Sequence, residues 1–91
     1  MDDEKITRFQ ALVDEFELAK DGAKPFDADL LDASHVGASH GEKVSIAFLV
    51  NVWNPGHEWK VGKFDVIDAL GIWDGSKRAA FCKWAAKPWW P

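Results

Sequence analysis

Ile6, Phe9, Leu12, Val13 and Phe16 recur at helical spacing and lay one apolar stripe along the start of the chain, predicting a helix over residues 3–20. Glu4 and Arg8 form a favourable i, i+4 pair, and Asp2 or Asp3 is available as N-cap. Gly22 suits the left-handed position that closes such a helix, and Lys20 suits its negative end. Pro25-Phe26-Asp27 then opens a short second helix, with Asp27 as N-cap and Phe26 stapled onto Leu31. Leu30 and Leu31 are expected to point inward, and the apolar run fades near Ser34. Residues 33–41 contain an imperfect Ala-Ser-His duplication, too short for a structural repeat, and read as a loop.

Residues 42–53 carry two patterns at once. Val44, Ile46, Phe48, Val50 and Val52 alternate as in a strand, and Asn54-Pro55-Gly56-His57 offers a turn into Glu58–Gly62. That pattern gives an α+β alternative with a hairpin at 44–62. Against it, Ser39 and Glu42 have capping-box spacing, and Asn54-Pro55 fits a helix stop. The unbroken run Ala47-Phe48-Leu49-Val50 suits a central helix buried on most sides, and the balance falls to helix.

Residues 63–70 read as a further helix with Phe64, Ile67 and Leu70 on its inner side, Gly71 at C′ and Ile72 folding back on Ile67. Asp74 or Ser76 caps a last helix whose face is Ala80, Phe81 and Trp84, and Pro88 ends it. Pro88-Trp89-Trp90-Pro91 cannot continue that helix and is expected to be extended. The fold class expected is all-α, a compact bundle of four to five short helices.

Composition narrows this picture. A chain of 91 residues predicts a single globular domain over 1–91. Folding at this size buries roughly two thirds of the unfolded surface, which leaves a small margin. Six Phe and six Trp, with no Tyr, compensate through large contact areas. The Trp pair at 89–90 therefore reads as a lid on an undersized core, with at least one ring buried. The single Cys82 excludes an internal disulfide and, among Phe81, Trp84 and alanines, reads as a small packing residue. No apolar leader and no long apolar run is present, so the expectation is a cytoplasmic protein with no membrane association.

The net charge of −4 is unevenly spread. Residues 1–32 hold ten acids and four bases, whereas residues 33–91 hold five acids and seven bases. Lys77, Arg78, Lys83 and Lys87 are the only charged residues in the last fifteen positions.

Candidate chemistry changes little. Gly37 to Ser45 lacks the spacing of a phosphate loop, and Glu42 would oppose a phosphate. His35 and His40 lie five apart, which suits neither one helix face nor a zinc finger, and His57-Glu58 lacks a second histidine. Asp27, Asp29 and Asp32 lack the remaining oxygen ligands and the glycine of a calcium loop. No nucleophile stands beside a base, so no catalytic activity, metal or cofactor is expected.

Ile46-Ala47-Phe48-Leu49-Val50-Asn51-Val52-Trp53-Asn54, Phe64-Asp65, Trp73-Asp74 and the Trp84…Pro88-Trp89-Trp90 ending resemble small uncharacterised helical proteins of bacteriophages and prophages. The resemblance spans residues 44–91. It implies an apolar helix ending in an aromatic-Asn step, two short helices after it, and a mobile-element origin.

Binding is the function expected. The first reading is an acidic protein-interaction module that modulates a host protein, for example a nucleic-acid-binding or defence factor. Its partner contacts are Asp27, Asp29, Asp32, Trp89 and Trp90. The alternative is single-stranded nucleic-acid binding through the basic, Trp-rich end, where cations and indoles interleave. Self-association through the same end is a further expectation.

Overall fold

In the computed structural model, which describes residues 3–91, five helices follow one another: α1 (Asp3–Asp14), α2 (Ala28–Ala33), α3 (His40–Trp53), α4 (Val66–Ile72) and α5 (Gly75–Ala86). The all-α class holds. Among the described residues the only β pairing is an isolated bridge between Ala23 and Phe26, so the hairpin alternative at 44–62 falls away.

The decision at α3 is made at its first turn. The Ser39 hydroxyl accepts from the Glu42 amide, and the Glu42 carboxylate accepts from the Ser39 amide. These two bonds satisfy donors that a strand would leave to a neighbour. Val44 through Val50 are then buried without a break, as befits a helix surrounded by the others. Within that run Ser45 donates to the Gly41 carbonyl and accepts from the Trp73 indole at 2.9 Å, so its hydroxyl is satisfied in a dry interior.

Phe48 is the hub of the aromatic core. Its ring lies 5.2–5.4 Å from the centroids of Phe16, Phe64, Phe81 and Trp84, and 6.1 Å from Trp73. A second group joins Phe9, Phe26 and Trp53 at 4.8–5.1 Å. Tilted and edge-on geometries predominate, as ring quadrupoles favour.

The first helix is shorter than its periodicity predicts. It ends at Asp14, three tight turn bonds carry the chain to Glu17, and Glu17 takes a positive φ of 52°. A helix continued through Lys20 would have carried Leu18 to the face opposite Phe16; the break lets Leu18 pack against the core. Ile6, expected in the buried stripe, is 47% exposed, because the core begins one turn later at Phe9. The expected cap at Asp2 lies outside the described residues, and Asp3 is already helical. Arg8, expected to pair with Glu4, lies over the Trp89 ring instead.

Gly22 does not close α1. It sits in the following turn at φ +87°, where a Cβ would fall 2.3 Å from the Leu31 amide nitrogen. Glycine is required there by conformation and by space. Gln10 fixes the same turn to α1: its amide donates to Asp14 and to the Ala23 carbonyl and accepts from the Phe26 amide.

Asp27 caps α2, accepting from the Leu30 amide. Leu31 is fully buried, but Leu30 is 53% exposed, contrary to expectation. Leu30 and Leu31 project about 100° apart on a helix, and the single turn of α2 offers the core only one of them. Asp74, and not Ser76, caps α5; the Ser76 hydroxyl bonds to the same carboxylate. Ala80 is buried, and Phe81 and Trp84 pack partly buried on the core as the sequence predicts. Cys82, one position round from Phe81, is exposed and is not a packing residue.

Candidate functional site

Structure divides the acidic triplet. Asp27 and Asp29 are exposed at the start of α2, where the Asp27 carboxylate is occupied as a cap. Asp32 is 6% exposed and does not belong to any surface. Its carboxylate accepts from the Lys60 amide at 3.0 Å and the Val61 amide at 2.9 Å, tying the segment after α3 to α2. Asp32 is thus a structural clamp, which corrects its assignment as a partner contact. The sequence could not show this, because its partners lie 28 and 29 residues away.

The two closing tryptophans also separate. Trp89 packs on the core edge-on to Phe9 at 6.2 Å, with the Arg8 guanidinium 3.8 Å above its ring. Its carbonyl accepts from the Trp84 indole at 2.9 Å, which turns the chain back over α5. Trp90 remains 54% exposed, edge-on to Trp84 at 5.5 Å. One ring serves as lid and the other faces water.

The largest departure from expectation lies on α4. The helix runs Val66–Ile72, capped by Asp65, which accepts from the Asp68 amide. Gly71 lies within it and so is not a C′ residue. Phe64 precedes the helix, stacked on Trp73 at 5.7 Å, and Trp73 follows it, almost fully buried. These rings fill the space beneath α4, so only the small Ala69 is buried from within it. Of the expected inner face, Phe64 packs on the core, Ile67 is turned outward at 77% exposed, and Leu70, like Val66, is 38% exposed.

Helical geometry sharpens the contrast. Val66, Ile67 and Leu70 fall within an arc of about 100°, while Asp68, Ala69 and Ile72 occupy a separate one. On the second arc the Asp68 carboxylate meets the His40 ring nitrogen at 2.6 Å, Ala69 is buried, and Ile72 borders Gly41. The helix is held by Ala69 and the Asp68–His40 contact, and Ile67 is its most exposed aliphatic side chain.

Among the described residues two carboxylates have lowered pKa values, and both serve helix N-termini, Asp74 as the cap of α5 and Glu42 as the partner of the Ser39 cap. The Ser39 amide, first, and its hydroxyl hold Glu42 below the usual carboxylate value. The Lys77 amide, then the Ser76 hydroxyl, bring Asp74 down to about 2. Both shifts are those of capping and suggest no acid–base role. Among the described residues no group of three His, Cys, Asp or Glu is placed to hold a metal, and no helix is long and apolar enough to cross a membrane.

Comparison with protein-family models, with curated proteins and with solved structures finds no significant match to this chain.

Proposed function

We propose that this chain is a protein-interaction module that docks through the outer face of α4 onto a partner protein with an apolar pocket and a basic rim. The observation that carries the reading is the burial pattern of α4, with Ile67 77% exposed, Val66 and Leu70 partly exposed beside it, and Ala69 inside. Branched side chains grouped on one exposed helix face are the usual form of an anchor for a hydrophobic groove. Exposed Asp27, Asp29 and Asp65 and a net charge of −4 favour a cationic partner and speed its approach. A host nucleic-acid-binding or defence factor, cationic by trade, is the class of protein that fits.

Affinity capture tests this with the full chain and with Ile67→Asp, whose site is exposed enough to spare the fold. The expected result is one partner retained by the wild type, released by raised salt, and lost with Ile67→Asp. Retention unaffected by that substitution overturns the reading. So does a dimer in sedimentation that Ile67→Asp dissociates, because the face would then belong to a second copy.

A further inference from the structure

The basic end of the chain folds against α1 and leaves an open groove of about 350 Å³ between α1 and α5. Arg8, Lys83 and Lys87 border it with the indoles of Trp84 and Trp89, and Glu15 is the single carboxylate on its wall. We infer that this groove, with the exposed Trp90 ring beside it, binds single-stranded nucleic acid. The inference stands apart from the α4 reading and uses none of its residues.

Arg8 comes from α1 and the two lysines from the far end of the chain, yet the fold brings them to one groove. The Arg8 guanidinium carbon lies 3.8 Å from the Trp89 ring centroid, a cation–π contact that holds the cation at the groove. Lys83, in the last turn of α5, and Lys87, its C-cap, are both exposed and both border the groove. Three cations against one carboxylate make a local anion site on a chain whose net charge is −4.

The aromatics decide which anion. Trp84 is held by its indole hydrogen bond to the Trp89 carbonyl, and it in turn supports Trp90 edge-on. Trp90 is thus a positioned ring, more than half in water, against Trp84, which itself borders the cationic groove. A base stacks on such a ring whatever its identity, and a flexible backbone lets the phosphates follow the cations. A duplex keeps its bases stacked on one another and offers this ring nothing. A base-free polyanion meets the cations alone.

The test titrates the full chain with oligothymidylate at low salt while following Trp fluorescence. Saturable quenching is expected, with log K falling against log salt at a slope of about −2, as three cations on a single strand dictate. Trp90→Ala should weaken binding about tenfold or more, the usual effect of losing one stacking ring. The pair Lys83→Gln and Lys87→Gln should lower affinity and flatten the salt slope. Ile67→Asp, on α4, should leave binding unchanged, so this inference and the docking reading fail separately. Circular dichroism of each variant must match the wild type; both substituted surfaces are exposed. Absence of quenching at low salt overturns the inference. Equal binding of inorganic polyphosphate, or indifference to Trp90→Ala in a folded variant, overturns it as well.

Discussion

Single residues carry unequal weight here, and Phe48 carries the most. It touches rings from α5, from both flanks of α4 and from the end of α1. Phe48→Ala should cost about 3–5 kcal/mol, a large part of a small domain's stability, and urea titration should find it mostly unfolded near physiological temperature. Asp32 shows the limit of reading composition. In the sequence it is the third of three neighbouring acids; in the fold it is a buried acceptor for two distant amides. Asp32→Ala should destabilise by about 1–3 kcal/mol, since two part-buried amides lose their shared carboxylate. Asp29→Ala, at an exposed position, should change the urea midpoint little.

At the level of elements, the caps were legible because their chemistry is confined to three or four residues. Ser39 with Glu42, Asp27 with Leu30 and Asp74 with Lys77 all form as the sequence predicts. Their acid sensitivity follows. Asp74 has its folded pKa depressed from 3.8 to about 2, so its stabilisation is complete above the unfolded value and is lost as pH falls through the folded one. The stability gap between wild type and Asp74→Ala should therefore close between about pH 4 and pH 2. An unchanged gap across that window in acid titrations would argue against the cap. The orientation of α4 was not legible. Its periodicity favours burying Ile67 and Leu70, but Phe64 and Trp73 on either side occupy the core first. Anchored by Ala69, Ile72 and the His40–Asp68 contact, α4 should exchange its amides faster than α3, and His40→Ala should widen the difference.

For the molecule as a whole, the core is an aromatic network closed at one edge by the chain's own end. The radius of gyration, 12.0 Å, is the roughly 12 Å expected of a folded chain of this length. Trp89 belongs to that closure through Phe9, Arg8 and Trp84, whereas Trp90 does not. Thermal unfolding should separate them. Trp89→Ala should lower the midpoint by several degrees, since about 1–2 kcal/mol corresponds to roughly that shift at this size. Trp90→Ala should leave it nearly unchanged. Equal effects would mean that the two rings share the lid.

The sequence by itself determined the all-α class, the central helix and most of the helix starts, because these rest on periodicity and on hydrogen bonds between near neighbours. It also marked the closing Trp pair as a lid, a role that the fold gives to Trp89 alone. Only the tertiary structure decided which apolar side chains went inside. A chain this rich in aromatics offers its small core more surface than fits, and the rings of Phe64, Trp73 and Phe48 displaced the aliphatic face of α4 into water. The same packing drew Asp32 inward and brought Arg8 to Trp89, across distances in the chain that no local pattern records.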